Sequence, residues 1–209
     1  AADLVPMSEL APRTLDVHQH RDEAVKPAEL IDMSGAERLS LADRRVWNEL
    51  VRVGFGPDML VPFKRFPALF SHLRSISGHR TRGDVIDSLR KLMDTRCSVR
   101  CGDKVREFDL LAEMEYRCAE HPEMADDLLN FGFAPSLADL LTGSIAYAKL
   151  HVGALAQFRT KYGLNLYESI ALRANLTHQW TDTWSKDEIR ERLGVEAERR
   201  IERHSACAL

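Results

Sequence analysis

Long apolar runs and paired cysteines are both missing from this 209-residue chain. No hydrophobic stretch approaches the roughly 18 residues that a membrane-spanning helix needs, and the opening residues lack the pattern of a secretory signal peptide. The four cysteines do not form CxxC pairs, which disfavours both a zinc site and a disulfide framework. We therefore expect a cytoplasmic protein with free thiols and no membrane contact.

Catalytic motifs are missing as well. The phosphate-binding pattern GxxxxGK[ST] and the nucleophile pattern GxSxG do not occur. A metal-dependent polymerase or nuclease needs carboxylates that converge on Mg²⁺. Eight of the 32 acidic residues are grouped between Glu107 and Asp127, but no phosphate loop lies beside them. The eight histidines are dispersed along the chain. The sequence therefore predicts no catalytic residues, no metal site and no cofactor.

The formal net charge of −3 hides an uneven distribution of charge. From Lys64 to Arg106 there are eleven Lys or Arg residues and four Asp residues, whereas Glu107–Thr142 contains nine acidic residues and one base. Such a basic block is a candidate contact surface for a polyanion. Equally, the acidic segment can balance it in space and leave an ordinary solvated surface. Charge alone does not decide between the two interpretations.

Capping signals and periodicity predict an order of elements typical of a winged helix. Ser40 and Asp43 form a capping box at the start of a helix. A short extended segment, a short helix and a helix over residues 82–93 follow, and the next residues predict a β-hairpin that turns at Gly102-Asp103. In a helix-turn-helix the second helix faces DNA. Helix 82–93 therefore takes the recognition position and the hairpin forms the wing, and both lie in the basic block.

Basic side chains of this helix and hairpin are the predicted DNA contacts. They are Arg82, Arg90 and Lys91 on the helix, and Arg96, Arg100 and Lys104 on the wing. Long cationic side chains meet phosphates more readily than base edges, and phosphate contacts position a protein without reading sequence. The alternative is an interaction module, in which these charges are only solvated and β-rich segments between Asn130 and Val152 pair across a two-fold axis.

A long helix near the C-terminus carries an apolar stripe at every fourth position, which predicts one buried face. The stripe comprises Phe158, Tyr162, Leu166 and Ile170. A further helix is predicted to begin at Ser185, which forms a capping box with Glu188. We expect the stripe to pack back on the core of the domain. The predicted shared core is Trp47, Leu50, Val85, Leu89, Phe158, Tyr162 and Leu166.

Four blocks of sequence resemble the initiator (Rep) proteins of iteron-bearing bacterial plasmids. They are LSLADRRVWNELV, TRGDVIDSLRKLMDT, FRTKYGLNLYESIALRANL and SKDEIRERLGV, and their order and spacing match over roughly residues 33 to 195. This resemblance implies a replication initiator with two tandem winged-helix domains, of which the first forms dimers and touches the DNA backbone and the second reads the iteron. It implies plasmid origin duplex DNA, a second copy of the chain and host replication proteins as partners.

The chain is expected to divide into three parts. Residues 1–32 are predicted to be a flexible N-terminal arm, 33–176 a winged-helix domain for dimerisation and DNA contact, and 177–209 a linker with the remnant of a second winged-helix domain. Only fourteen residues follow Val195, where the resemblance implies a domain of about a hundred residues. The expected fold is α+β, a winged-helix domain with extra strands and helices, and the expected activity is weak binding of duplex DNA with little preference for iterons.

Overall fold

A computed structural model of the chain describes residues 23–54, 66–101, 103–117, 127–144, 146–175, 183–193 and 195. Its main elements, in chain order, are β1 (Glu23–Pro27), α1 (Ala28–Ile31), α2 (Leu41–Gly54), β2 (Phe66–Leu69), α3 (Phe70–Ser77), α4 (Arg82–Met93), β3 (Arg96–Cys101), β4 (Lys104–Asp109), β5 (Glu113–Tyr116), β6 (Leu128–Gly132), α5 (Pro135–Gly143), β7 (Tyr147–His151), α6 (Val152–Leu155), α7 (Lys161–Ala174) and α8 (Lys186–Leu193). The predicted α+β class is confirmed. The order α2–β2–α3–α4–β3–β4 is the predicted winged-helix order.

Side-chain caps fix where the helices of the winged-helix core begin. Before α2, the Ser40 N–H donates to Asp43 Oδ2 at 2.9 Å, and the Asp43 N–H donates to Ser40 Oγ at 3.2 Å. Thr81 and Asp84 form the same reciprocal pair before α4. Each pair satisfies backbone donors that the first turn of a helix leaves without partners. Both starts were therefore visible in the sequence.

Helices α2, α3 and α4 pack around a large apolar cluster that also includes residues of the hairpin, β6 and α5. Gly54 ends α2 against this cluster, and any Cβ at that position would collide with the ring of Phe133. Four of the predicted core residues belong to the cluster, and each is at most 1% exposed: Trp47, Leu50, Val85 and Leu89.

The described strands form three small antiparallel sheets. β3 and β4 make the predicted hairpin, with Arg96 opposite Asp109. β6 lies between β2 and β5, and β1 pairs with β7. A bridge between Ser34 and Ser98 ties the outer edge of β3 to the segment before α2. Strand β3 is therefore paired on both edges at Ser98, while Arg100, Lys104 and Arg106 nearer the turn are exposed.

Residues 23–32, which the sequence analysis assigned to a flexible arm, belong to the fold. β1 pairs with β7 from Glu23 opposite His151 onward, and α1 follows it directly. Ala24, Val25 and Lys26 are all at most 3% exposed. The lysine interrupts the apolar pattern of this strand, so its burial could not be seen in the sequence. The rest of the predicted arm, residues 1–22, lies outside the described residues.

Helix α7 buries a different face from the one that its apolar stripe predicts. Leu166 and Ile170 are 38% and 52% exposed. Leu164 and Leu172 are buried instead, and Glu168 lies buried midway between them. The two leucines belong to a second, smaller apolar cluster built from β1, β7, α6 and α7, with Phe158 half-buried at its margin. The prediction that Phe158, Tyr162 and Leu166 share the core of Trp47 is therefore wrong, because α7 packs mainly on a separate cluster.

A buried polar triad connects the two clusters. Lys26 Nζ of β1 donates to Glu168 Oε2 of α7 at 2.8 Å and to Asn48 Oδ1 of α2 at 3.0 Å. Asn48 Nδ2 closes the triangle by donating to Glu168 Oε1 at 2.7 Å. All three residues are at most 4% exposed. Burial lowers the pKa of Lys26, and the charge and hydrogen bond of Glu168 oppose that shift. The triad fixes β1 and α7 against α2, since any other arrangement leaves a charge buried without its partner.

Candidate nucleic-acid interface

Helix α4 exposes two of the predicted contacts, and each has a carboxylate beside it. The Arg90 and Lys91 side chains are about 60% exposed. Arg90 Nη1 lies 3.2 Å from Asp87 Oδ1, and Lys91 Nζ lies 3.6 Å from Asp43 Oδ2. Asp94 is also exposed at the end of the helix. The outward surface of α4 therefore carries both signs of charge in similar amounts.

The carboxylate beside Lys91 belongs to a hydrogen-bonded network between α2 and α4. Asp43 accepts from Ser88 Oγ at 2.5 Å and from Ser40 Oγ at 2.7 Å. His79 Nε2, in the turn before α4, lies 2.8 Å from Ser88 Oγ. Burial favours a higher pKa for Asp43, but the hydrogen bonds from Ser88 and Ser40 and the charge of Lys91 together hold this pKa below its ordinary value. The network fixes α4 against α2.

Arg82, the first residue of α4, is engaged inside the fold. Its guanidinium carbon lies 4.3 Å from the centroid of the Phe70 ring and 5.7 Å from that of Tyr116. Its Nη2 donates to the carbonyl oxygen of Arg117 at 3.0 Å. A cation between aromatic faces is stabilised by the negative charge of those faces. Arg82 therefore ties α4 to α3 and β5, and DNA contact would require it to leave these partners.

Arg96, at the base of the hairpin, is also paired. Its guanidinium lies 3.4 Å from Asp109 Oδ1 and 3.6 Å from Glu107 Oε2, both on the opposing strand. All three side chains are well exposed, between 45% and 62%. Two carboxylates around one guanidinium leave this part of the hairpin without excess positive charge. The spacing of basic residues along β3 could not show this, because the partners come from β4.

The far end of the hairpin differs from its base. Arg100, Lys104 and Arg106 are exposed, and within the described part of the chain their side chains make no hydrogen bond or ion pair. Asp103, in the turn, is the one acidic residue among them. The predicted contacts include Arg100 and Lys104 but not Arg106. Its position two residues after Lys104 in the predicted strand was a usable signal, because it places both cations on one face. Three free cations and one acid make this end of the hairpin distinctly positive.

The predicted contacts thus fall into two exposed groups. Arg90 and Lys91 lie near the base of the hairpin, because α4 leads into β3 within a few residues. Arg100 and Lys104 lie at its far end, and the strand rise of about 3.4 Å per residue separates the two groups by roughly 15–20 Å. That span is several times the separation of successive phosphates along a duplex. Both groups can therefore reach one duplex only at separate phosphates.

No family model matches the chain, and neither does any curated protein sequence. Among solved structures, a crystal structure of the Pi initiator protein in complex with iteron DNA is similar to this chain, with a TM-score of 0.57 and 15% sequence identity. The match covers 84% of this chain and 73% of the Pi chain. The two chains share a fold. At this identity the likeness applies to the arrangement of elements and leaves each side-chain contact to be argued separately.

Several other kinds of site find no support in the structure. Among the described ranges, no group of three or more His, Cys, Asp or Glu side chains could hold a metal ion. None of the described helices is long and apolar enough to cross a membrane. Cys97 and Cys101 are free thiols. Burial raises the pKa of Cys97 to about 12, so its thiol stays protonated and unreactive. Cys118 and Cys207 lie outside the described residues.

Proposed function

We propose that this chain is a DNA-binding replication initiator of the Rep type, acting in the cytoplasm at a plasmid origin and without catalytic activity of its own. The observation that carries the proposal is the fold shared with the Pi initiator protein, whose structure contains iteron DNA. The four sequence blocks that resemble plasmid Rep proteins support it independently, because that resemblance rests on residues and their spacing and not on the shared fold. Host replication proteins remain predicted partners on the same resemblance.

The proposed DNA contacts are Arg90 and Lys91 on α4 together with Arg100 and Lys104 on the hairpin. The carboxylates beside the two helical cations do not prevent this, because exposed ion pairs contribute only about 0–1 kcal/mol and a phosphate competes with them. Arg82 and Arg96 are left out of the set, since the fold already uses both. Four phosphate contacts give a slope of log affinity against log salt of about −3.6, or about 0.9 per contact. Affinity in the non-specific range, roughly 10⁻⁴ to 10⁻⁶ M, follows.

We also propose that the chain forms a homodimer, as the resemblance to Rep proteins implies. The interface predicted between Asn130 and Val152 needs revision in one respect. β6 has β2 on one side and β5 on the other, so it offers no edge for pairing across a two-fold axis. β7 has only β1 as a described neighbour and is the remaining strand in that range. Sedimentation at micromolar concentration should show a dimer, and a species of monomer mass alone would contradict it.

A second candidate function is an interaction module that does not bind DNA directly. It is favoured by the pairing seen above: four of the six predicted contacts already have partners in the fold. They are Arg82, Arg90, Lys91 and Arg96. If the exposed cations Arg90 and Lys91 make no DNA contact, removal of their charges leaves every activity of the protein unchanged. The two candidates therefore differ in a property that can be measured on the isolated chain.

The test is a titration of two duplexes, one with an origin repeat and one with the same bases scrambled, each at two salt concentrations. Equal curves with a steep salt dependence support phosphate binding by these contacts. Joint replacement of Arg90 and Lys91 by Gln should flatten the slope by about 1.8. Arg190→Gln on α8 is the matched control, because Arg190 is likewise exposed and paired with an aspartate three residues away. A strong preference for the repeat would contradict phosphate-only contact, and no binding at low salt would favour the interaction module.

A further inference from the structure

We propose that the far end of the β3–β4 hairpin enters the major groove of duplex DNA, with Arg100 facing one phosphate strand and Lys104 and Arg106 facing the other. This inference rests on the proposed function. It adds to that function a contact that is absent from the predicted set, Arg106, and a place for the hairpin on the duplex.

The register of the hairpin puts its free cations on opposite faces. Directly paired residues of an antiparallel sheet point to the same side. Arg100 pairs with Val105 on one face, whereas Arg106 pairs with Val99 on the other. Lys104 shares the face of Arg106, since the two are separated by one residue along β4. The hairpin end therefore presents positive charge in two opposite directions, which suits a slot with a negative wall on each side.

The face that carries Arg106 changes character along the hairpin. At the base of this face Cys97 and Phe108 form a pair that is at most 2% exposed and belongs to the large apolar cluster. One step further Val99 is still buried at 5%, while its partner Arg106 is exposed. Along β4 the same face thus changes from the buried Phe108 to the exposed cations Arg106 and Lys104. At the far end, Lys104 and Arg106 are the exposed side chains of this face, while Cys101 is half-buried against the cluster. On the opposite face Arg100 and Val105 are both exposed.

The dimensions of a two-stranded ribbon favour one groove over the other. Sheets pack face to face at about 10 Å, so a ribbon with side chains on both faces occupies about 10 Å. The major groove of B-DNA is about 12 Å wide and the minor groove about 6 Å. Val105 is 61% exposed beside Arg100, and an apolar side chain at that point can contact thymine methyl groups, which only the major groove displays. The hairpin end therefore fits the major groove.

The contribution of each face can be measured with Arg100→Gln, Arg106→Gln and the double variant. Each single substitution should flatten the salt slope of duplex binding by about 0.9, and the double variant by about 1.8, because each removes one phosphate contact. Arg96→Gln is the matched control: it is the same substitution on the same hairpin, at a position already neutralised by two carboxylates. Parental binding by Arg106→Gln would overturn the two-faced arrangement. All these positions are exposed, so thermal unfolding should stay close to that of the parent.

The groove is tested with modified duplexes. Glucosylated 5-hydroxymethylcytosine fills the major groove with neutral groups, and distamycin fills the minor groove. Glucosylation should weaken binding by the parent more than binding by the double variant, because that variant has already lost the contacts that the sugar blocks. Loss of binding with distamycin alone, or equal binding of single strands, would overturn the groove assignment. A parent chain that binds no duplex at low salt refutes the proposed function itself, whereas normal parental binding with unaffected hairpin variants refutes only this inference.

Discussion

Replacement of Lys26 by methionine tests the buried triad most directly. The variant keeps an unbranched side chain, one atom shorter than lysine, but leaves the Glu168 carboxylate, 4% exposed, without the cation that lies 2.8 Å from it. Removal of one partner of a buried ion pair typically costs about 3–5 kcal/mol, because the other charge stays buried and uncompensated. For a chain of this size each kcal/mol lowers the melting temperature by about 2–4 °C. We expect Lys26→Met to melt about 6–20 °C below the parent when unfolding is followed by circular dichroism.

Two comparisons make this prediction specific to the buried charge. The double variant Lys26→Met, Glu168→Leu removes both charges and should recover most of the loss, with about 1–3 kcal/mol left for the unpaired amide of Asn48. The surface variant Arg190→Gln breaks an exposed pair, 2.9 Å from Asp187, and should change stability by less than about 1 kcal/mol. A Lys26→Met protein that melts with the parent would refute the triad as the link between β1, α2 and α7.

Three further substitutions test other parts of the fold. Leu89→Ala, at a fully buried position, should lower the free energy of unfolding in urea by about 2–5 kcal/mol. Leu166→Ala, on the exposed face of α7, should lower it by less than about 1 kcal/mol. Equal losses of stability would mean that α7 faces the other way. Gly35→Ala should lower the urea midpoint, because Gly35 has a φ of +100° and a Cβ there would collide with the Arg96 carbonyl; an unchanged midpoint would contradict this local geometry. The folded-state pKa of Asp43 is depressed, so its contribution is complete above the unfolded pKa of about 3.9 and is lost as pH falls through the folded value. Asp43→Asn should therefore be less stable at neutral pH and lose less on further acidification, as measured by urea midpoints between about pH 2 and pH 6; a parallel acid loss in both proteins would count against it.

Local signals were predictable from the sequence because their partners are close along the chain. The pairs Ser40–Asp43 and Thr81–Asp84 each span three residues, and both capping boxes are present in the structure. The hairpin turn and the helix over 82–93 depend on equally local patterns. Together with the order of elements, these features were enough to identify the winged-helix arrangement.

Contacts between residues far apart along the chain could not be predicted from local sequence patterns. The apolar stripe of α7 suggested the wrong inward face, because the true one carries Glu168, whose charge is compensated by Lys26, 142 residues earlier. Nor could the sequence reveal that Arg82 lies over the Phe70 ring. A basic block shows where positive charge is concentrated along the chain. Which of its cations remain available depends on partners brought in by folding, and at the hairpin these come from the neighbouring strand.

The pairing of β1 with β7 has a consequence for the order in which the chain can fold. Some 120 residues separate the two strands, since Glu23 meets His151, and closing so large a loop is slow compared with forming local helices and hairpins. During synthesis, which adds about 5–20 residues per second, β1 leaves the ribosome well before the strand that it pairs with. We expect the helices and hairpin around the large apolar cluster to form first. Until α7 follows, Lys26 keeps its charge in water, and its burial completes the fold as one of the last steps.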